Sequence, residues 1–351
     1  MSDTVRIVLN GTPASIADVP PTTTVLDWLR NHLRLIGTKE GCAEGDCGAC
    51  TVVLEKLSPA GAITRLAINA CITMVGQIDG CGVRTVEGLI GENGVLHPVQ
   101  SALARSGGTQ CGFCTPGIVM SGYCFVAGGE TFGLGAVHDA LAGNLCRCTG
   151  YKPIVDALVS CCPLENDPLD RHARGLETAL ASLCRDLGAK FKFGKDYFYA
   201  PRCLSEALEL RAKFPDALIL AGGTDLGLLV SQKHQQLPRV IYVGNVRELN
   251  VITECDSQIK IGAAVTYSST RDLLTKHYPS LKSYWSRIGS PQVRNMGTIG
   301  GNLGTASPIG DALPILLALD ATINVCSKKG GRREIGADRF FIDYRKTALA
   351  R

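Results

Sequence analysis

Three cysteines lie on one short glycine-rich segment near the start of the chain. Residues 41–50 read G-C-A-E-G-D-C-G-A-C, so that Cys42, Cys47 and Cys50 follow a C-x4-C-x2-C spacing, and Cys71 comes after an intervening segment. This spacing is typical of the plant-type ligand set of a 2Fe–2S cluster, in which four thiolates hold two irons. The interleaved glycines allow the backbone to bend so that its N–H groups approach the sulfurs.

Two other interpretations of this segment are a zinc site and a group of unrelated buried thiols. Zinc sites are usually built from paired C-x2-C knuckles, whereas the first two cysteines here are four residues apart. Free cysteine is often a core residue, but three cysteines so close together, with glycines between them, are an unusual core pattern. The pattern therefore favours the iron–sulfur cluster over both alternatives.

A second set of cysteines consists of two close pairs. Cys111 and Cys114 form a C-x2-C pair, and Cys146 and Cys148 form a C-x-C pair further along the chain. A Thr-Pro sequence directly after Cys114 predicts the start of a helix there. Taken alone, this motif leaves zinc as a serious alternative. Beside a plant-type cluster segment, a second 2Fe–2S centre is favoured.

The patterns around these segments indicate several domains. Residues 1–80 contain short strand patterns, with a hairpin turn predicted at Asn10 and the following glycine, and they suit a small ferredoxin architecture. Residues 81–165 show helical patterns. Residues 166–192 are predicted to be a linker with one short helix, and residues 193–351 to form a third domain.

The composition is that of a soluble globular protein. The 351 residues are 45% hydrophobic, and 36 basic against 32 acidic residues give a net charge of +4. This balance argues against nucleic acid or a membrane surface as a partner, and the chain shows no apolar signal core or bilayer-spanning run. Sixteen cysteines without a signal peptide indicate metal ligation in a reducing cytoplasm rather than disulfides.

Two glycine-rich loops in the third domain could form a pyrophosphate cradle. The first, residues 222–225, follows a short apolar strand, and the second covers residues 297–304. The backbone N–H groups of such loops can bind phosphate. Neither loop matches the G-x-G-x-x-G fingerprint, so a Rossmann unit is not supported. Tight turns without a ligand are the alternative interpretation, since the chain contains 40 glycines.

Together these motifs resemble those of the molybdenum hydroxylases, the family of xanthine dehydrogenase, aldehyde oxidase and carbon monoxide dehydrogenase. The resemblance rests on the segment 41–50, on Q-C-G-F-C-T-P-G at 110–117, on G-N-L-C-R-C-T-G-Y at 143–151, on A-G-G-T-D-L at 221–226 and on Q-V-R-N-M-G-T-I-G-G-N at 292–302. These motifs are long, they occur in the family's order, and they cover nearly the whole chain.

The resemblance implies a multidomain α+β fold. A β-grasp 2Fe–2S ferredoxin-like domain (1–80) would precede a four-helix 2Fe–2S-binding domain (81–165), a linker (166–192) and an α/β FAD-binding domain of the PCMH type with two subdomains (193–351). In the family the flavin domain continues into a further C-terminal subdomain. We therefore expect the flavin domain of this chain to be C-terminally truncated.

The resemblance also implies the residues that hold the cofactors, two 2Fe–2S clusters and FAD. The implied cluster ligands are Cys42, Cys47, Cys50, Cys71, Cys111, Cys114, Cys146 and Cys148. The implied FAD contacts are Leu218, Ile219, Leu220, Ala221, Gly222, Gly223, Thr224, Asp225, Leu226, Ile288, Thr298, Gly300, Gly301, Asn302, Ser307 and Asp311. The cysteines that match no ligand of the family are expected to be buried or incidental thiols, and they are Cys81, Cys124, Cys161, Cys162, Cys184, Cys203, Cys255 and Cys326.

The implied function is electron transfer in the iron–sulfur/FAD subunit of a xanthine dehydrogenase. A molybdopterin-binding large subunit would oxidise hypoxanthine or xanthine, and this chain would pass the electrons through both clusters to FAD and then to NAD+. No hydroxylation catalyst is expected on this chain. One alternative is the same role in a molybdenum hydroxylase that acts on aldehydes or N-heterocycles. A more distant alternative is a zinc-stabilised binding protein without a redox role.

Overall fold

Two larger sheets and three separate strand pairs form the β-structure of this protein. The computed structural model describes residues 3–58, 60–91, 94–129, 132–162, 167–169 and 173–349. The strands are β1 (Val5–Leu9), β2 (Thr12–Ile16), β3 (Thr51–Leu57), β4 (Ile63–Asn69), β5 (Gly82–Arg84), β6 (Ala189–Phe193), β7 (Asp196–Ala200), β8 (Leu218–Leu220), β9 (Arg239–Tyr242), β10 (Ile252–Cys255), β11 (Gln258–Ile261), β12 (Thr322–Ser327), β13 (Gly331–Gly336), β14 (Phe341–Asp343) and β15 (Lys346–Thr347).

Most helices lie in the second domain and in the C-terminal part of the chain. They are α1 (Val25–Asp27), α2 (Pro98–Arg105), α3 (Thr115–Ala127), α4 (Leu134–Leu141), α5 (Lys152–Ser160), α6 (Ala173–Leu183), α7 (Leu204–Lys213), α8 (Leu226–Ser231), α9 (Tyr267–His277), α10 (Leu281–Trp285), α11 (Pro291–Arg294), α12 (Ile299–Thr305), α13 (Ala312–Ala318) and α14 (Ala337–Phe340). No helix in the described ranges is both long enough and apolar enough to cross a membrane.

The first sheet has the strand order β2-β1-β5-β3-β4. The predicted hairpin turn joins β1 to β2, with Asn10 at φ 50° and Gly11 at φ 86°, a conformation that Asn-Gly pairs tolerate. A short helical segment, α1 continued by a π-helical turn over Trp28–His32, packs on this sheet. Trp28 is buried in the core. Sheet and helix together form the expected β-grasp arrangement.

Strand β5 corrects the predicted first boundary at residue 80. It pairs in parallel with β1 and antiparallel with β3, so it lies inside the first sheet. A strand of three residues is too short to show a periodic pattern of its own, and a helical stretch follows it. The predicted boundary at residues 165 and 166 falls partly on residues that the structure does not describe.

Four helices, α2 to α5, form the second domain and share one apolar core with Tyr123 near its centre. Helix α3 approaches α5 closely at Gly122, where a Cβ atom would lie 2.6 Å from a methyl group of Leu158. The helical patterns predicted for residues 81–165 and the helix start predicted after Cys114 are present, and the expected four-helix architecture is confirmed.

Helix α6 packs against the first sheet. Its buried face, Leu176, Leu180 and Leu183, covers Val8 of β1. Directly after α6, the Arg185 guanidinium forms an ion pair with Asp79, at 2.9 Å between Nε and Oδ2. The helix predicted in the linker is therefore present, but it is a packed part of the first domain's outer surface.

The C-terminal part contains a mixed sheet, with the order β6-β7-β9-β8, and a second region of helices and hairpins. Apolar residues of this sheet, including Phe198 and Val240, belong to the same buried cluster as the core of the first sheet. The second region, from α9 onward, has its own core around Trp285. The expected division into two subdomains is thus visible in the two separate cores.

Candidate cofactor sites

The loop over residues 41–50 directs backbone N–H groups at one sulfur. The Sγ atom of Cys42 accepts N–H groups from Glu44, Asp46 and Cys47, each at 3.4 Å. A sulfur that accepts several N–H groups is stabilised as a thiolate, the form that binds iron. The loop therefore has the geometry that an iron–sulfur ligand requires.

Two glycines with positive φ determine the backbone path of this loop. Gly45 has φ +81° and Gly48 has φ +68°, backbone conformations that favour glycine. A Cβ atom at Gly48 would lie 2.1 Å from the carbonyl oxygen of Gly143, in the second domain. The glycine at position 48 thus allows two domains to meet backbone to backbone.

The four thiols of the first set lie close enough to interact. A hydrogen bond with the Cys71 thiol lowers the pKa of Cys42 despite its partial burial, and the loop N–H groups add to this effect. The pKa of Cys71 is raised in turn by its hydrogen bonds to Cys42 and Cys50 and by burial. Burial raises the pKa of Cys47, which also interacts with Cys42 and Cys50. The structure therefore brings all four predicted ligands of this set together.

The second set converges between the start of α3 and the loop before α5. Burial and a hydrogen bond with Cys146 raise the pKa of Cys114 to about 12. Burial opposes ionisation of Cys146, but hydrogen bonds from Thr149 and the neighbouring backbone lower its pKa. A hydrogen bond with Cys111 raises the pKa of Cys148. All four predicted ligands of the second set are thus within interaction distance of one another.

The thiols interact within each set, and Cys71 contacts both Cys42 and Cys50. Among the described residues, no group of three or more His, Cys, Asp or Glu side chains has the arrangement needed to hold a single metal ion. A tetrahedral zinc site draws its four sulfurs to about 2.3 Å from one point, whereas a 2Fe–2S cluster spreads four thiolates over two irons.

A direct backbone contact joins the two ligand loops. The N–H group of Leu145, next to Cys146, donates to the carbonyl oxygen of Cys47 at 3.0 Å. The Asn144 side chain also donates to the Gly48 carbonyl, at 3.1 Å. One ligand-bearing loop of each domain is therefore hydrogen-bonded to the other.

The two glycine-rich loops predicted for the flavin site lie side by side. A Cβ atom at Gly222 would come within 2.0 Å of the carbonyl oxygen of Met296, just before the second loop. The Thr305 hydroxyl is 3.5 Å from a carboxylate oxygen of Asp225. The second loop leads into α12, whose first turn is capped by the hydroxyl of Thr298 at 2.9 Å from the N–H group of Gly301.

The remaining predicted flavin residues include both exposed and buried side chains. The Asn302 side chain accepts the N–H group of Ala312 at 3.2 Å, which holds the 307–311 loop beside α12. Asp311 is exposed on that loop. Leu220 and Ile288 are buried in separate apolar cores, so their side chains pack within those cores. The burial of these side chains does not affect predicted flavin contacts that are made by backbone atoms.

The first flavin loop and helix α8 contact the ferredoxin-like domain close to its cysteine set. The Gln77 side chain donates to the Gly222 carbonyl at 3.2 Å, and a Cβ atom at Gly227 would lie 2.2 Å from the carbonyl oxygen of Ile72, next to Cys71. Gln232, at the end of α8, donates to the Cys42 carbonyl at 2.6 Å. Nothing in the sequence pattern indicated the two glutamines, because their partners are far away along the chain.

The eight cysteines outside both sets are dispersed. Cys81 and Cys161 are buried, and burial raises the pKa of each. Cys184, Cys255 and Cys326 are exposed. That these cysteines are buried or incidental thiols stays a prediction.

Sequence families match three consecutive parts of the chain. Residues 7–76 match a "2Fe-2S iron-sulfur cluster binding domain", residues 85–159 a "[2Fe-2S] binding domain", and residues 190–351 an "FAD binding domain in molybdopterin dehydrogenase". The predicted cofactors, two 2Fe–2S clusters and FAD, are confirmed by these matches, as is the predicted order of the domains.

Two related enzymes are similar to this chain over nearly its whole length. Xanthine dehydrogenase of Drosophila pseudoobscura pseudoobscura is 34% identical over 97% of this chain, and aldehyde oxidase 1 of Bos taurus is 34% identical over 95% of it. The chain spans about 29% of the length of these two relatives. The crystal structure of quinoline 2-oxidoreductase from Pseudomonas putida 86 is 33% identical, with a TM-score of 0.39, over 49% of this chain and 96% of that one.

Proposed function

From the premise that this chain belongs to the molybdenum hydroxylase family and carries its iron–sulfur and FAD-binding domains, we propose that it is the electron-transfer subunit of a xanthine dehydrogenase. A molybdopterin-containing partner subunit oxidises hypoxanthine or xanthine. This chain passes the electrons through two 2Fe–2S clusters to FAD and then to NAD+.

The clusters and FAD, when bound, supply the one-electron and two-electron redox chemistry. The chain supplies ligands, orientation and shielding from water. The first ligand set contains two nearly inaccessible cysteines, Cys50 and Cys71, each 2% exposed. The second set is more open, since Cys111 and Cys148 are both exposed. Hydrogen bonding and exposure both set the reduction potential of such centres, so the two sites are built to differ in potential.

A continuous line of hydrogen bonds through the three domains is the observation that carries this proposal. The N–H group of Leu145, in the second ligand loop, donates to the Cys47 carbonyl, and the N–H group of Cys47 donates to the Cys42 sulfur. The Gln232 side chain, next to the flavin loops, donates to the Cys42 carbonyl. The first cluster segment thus lies between the second ligand set and the flavin loops. This order supports a relay from the helical domain through the ferredoxin-like domain to FAD.

A second candidate function is the same relay in an aldehyde-oxidising enzyme. The chain is 34% identical both to a xanthine dehydrogenase and to an aldehyde oxidase, so identity does not separate the two substrates. The substrate would be bound by the partner subunit in either case. Activity of the complex purified with its partner, assayed with hypoxanthine and with an aromatic aldehyde, distinguishes the two candidates.

The first test is the content of iron, acid-labile sulfide, zinc and FAD in protein purified without oxygen. We expect about four iron and four sulfide per chain, from two 2Fe–2S centres, together with about one FAD. Stoichiometric zinc in place of iron would contradict the relay.

NAD+ as acceptor is tested by the reverse half-reaction. Anaerobic NADH should bleach the flavin absorbance of the purified chain, because the hydride acceptor would be FAD on this chain. Reduction by dithionite without reduction by NADH would exclude NAD+ as its acceptor.

A further inference from the structure

Gln292, at the start of α11, reaches from the flavin domain into the junction of the two iron–sulfur domains. Its side-chain nitrogen lies 3.2 Å from the Thr51 hydroxyl, 3.1 Å from the Ser121 hydroxyl and 3.1 Å from the Asn144 carbonyl oxygen. Gln292 is 1% exposed, and all three partners are buried. A single buried amide therefore contacts both domains that carry the cysteine sets.

The junction requires a hydrogen-bond donor at this position. The Thr51 hydroxyl donates to the Gly48 carbonyl at 2.7 Å, and the Ser121 hydroxyl donates to Asn144 at 2.6 Å. Both hydroxyl protons are thus engaged, and the oxygens facing Gln292 act as acceptors. The side-chain oxygen of Gln292 points the other way, where a Cβ atom on Gly143 would meet it at 1.9 Å. The absence of a side chain at Gly143 makes room for this amide.

The acceptors of Gln292 are adjacent to the proposed ligands. Thr51 follows Cys50 directly in the first set, and Asn144 precedes Cys146 by two residues in the second. Asn144 also donates to the Gly48 carbonyl at 3.1 Å. Through two short side chains, the amide of Gln292 fixes the backbone of both ligand loops.

We propose that Gln292 is a positioning residue that holds the two cluster-binding loops at one fixed separation. The flavin domain then determines the distance between two centres that it does not itself ligate. This proposal rests on the ligand assignment given above. It concerns the distance between the centres, whereas the proposed function concerns their presence, so the two fail in different measurements.

The test is Gln292→Met, which keeps the length of the side chain and removes its donors. Electron paramagnetic resonance of the fully reduced protein reports two paramagnetic centres, and their magnetic splitting depends on the distance between them. We expect Gln292→Met to retain both individual signals and to lose the resolved splitting, because the direct hydrogen bonds of Leu145 and Asn144 alone then leave the loops a range of separations. Electron equilibration between the two centres should slow several-fold.

Asn295→Ala is the matched control on the same segment. The Asn295 side chain donates to the Ala67 carbonyl in β4 at 2.8 Å, so it joins the flavin domain to the ferredoxin-like domain alone, away from both ligand loops. We expect this variant to keep the wild-type splitting. Wild-type splitting in Gln292→Met, or an equal loss in Asn295→Ala, would overturn the positioning role.

Ser121→Ala gives an independent test if Gln292→Met does not fold. It removes one acceptor of the amide from the helical domain and leaves Gln292 in place. We expect a partial loss of the resolved splitting with iron content unchanged. Unchanged splitting would overturn the proposal, as would its absence in a wild-type protein that shows both signals. A wild-type protein lacking one signal would instead contradict the ligand assignment.

Discussion

The sulfur of Cys42 accepts three N–H groups from its own loop. These donors come from the backbone, so no side-chain substitution in the loop removes them without changing the path of the chain. Their position depends on the residues with positive φ between Cys42 and Cys47, which are Ala43 and Gly45. The thiolate environment is therefore a property of the backbone conformation.

Substitution of single cysteines should separate the two centres. In Cys47→Ser and in Cys111→Ser we expect iron to fall by about half, with one resonance signal lost and the other kept, because the ligand sets do not overlap. Cys255→Ser is the control, since Cys255 is exposed and belongs to neither set. Iron analysis and low-temperature resonance spectra check this. Loss of both signals from either single variant would show that the two sites assemble only together.

Gly222 and Gly304 provide a matched pair of substitutions in the flavin loops. A Cβ atom at Gly222 would lie 2.0 Å from a backbone carbonyl, whereas one at Gly304 meets nothing within 4 Å. We expect Gly222→Ala to lower both the melting temperature and the FAD content. Gly304→Ala should retain FAD and gain about 0.5–1 kcal/mol, because alanine is preferred within a helix. Flavin absorbance and thermal unfolding measure both effects; equal FAD content in the two variants would place the cofactor elsewhere.

The cysteine sets could be predicted from the sequence because their spacing is local. Gln292 and Gln232 could not be predicted as junction residues, since their partners, including Ser121 and Cys42, are far away along the chain. The close contact at Gly222 could not be predicted for the same reason. The sequence predicts that this glycine makes room for a ligand, whereas the structure shows that it makes room for the Met296 carbonyl.

Strand β5 determines how the first domain ends. It lies between β1 and β3 and carries Arg84, whose guanidinium pairs with Glu55 of β3 at 2.8 Å and 3.2 Å. Glu55 is 0% exposed, and Arg84 is buried as well. A short strand without an apolar pattern is thus held in the sheet by a buried ion pair in addition to its backbone hydrogen bonds.

Breaking this ion pair should destabilise the sheet. Glu55→Gln leaves the Arg84 charge buried without its counterion, and such changes cost about 3–5 kcal/mol. Denaturant unfolding followed by far-UV circular dichroism measures the loss. The double variant Glu55→Leu with Arg84→Met removes both charges of this pair, and we expect it to recover only part of the stability, because Arg65, whose Nε lies 3.9 Å from the Glu55 carboxylate, loses that contact. A Glu55→Gln protein as stable as the wild type would mean that water reaches this pair.

Elements with strong periodic patterns were predicted well, and weak ones were not. The helical patterns of residues 81–165 correspond to α2 to α5, and the short helix predicted in the linker corresponds to α6. The π-helical turn after α1, at Trp28, has no such pattern in the sequence.

At the scale of the whole molecule, one apolar core serves two domains. Ile7 and Val83 of the first sheet belong to the same buried cluster as Phe198 and Val240 of the flavin domain. Gly76 allows a close approach, since a Cβ atom there would lie 2.8 Å from the Phe198 ring. Such sharing was not predictable, because apolar strands of separate domains have the same sequence patterns as those of a common core.

Removing the Phe198 ring from this core should lower the thermal stability of the first iron–sulfur site, although Phe198 lies in the flavin domain. We expect Phe198→Ala to cost about 3–5 kcal/mol and to lower the temperature at which the ferredoxin-like cluster signal is lost. Trp285→Ala is the control, because Trp285 is equally buried but belongs to the separate core of the second subdomain. It should lower FAD retention and leave that cluster signal unchanged. Resonance spectra recorded after graded heating distinguish the two outcomes.

The shared core also determines the order of events during synthesis. Val83 leaves the ribosome well before Val240, a later member of the same buried cluster. At 5–20 residues per second, the interval is on the order of ten seconds. During that time the nascent ferredoxin-like domain exposes apolar surface that the finished protein covers. A chaperone that binds this surface would therefore act before the second half of the polypeptide has been translated.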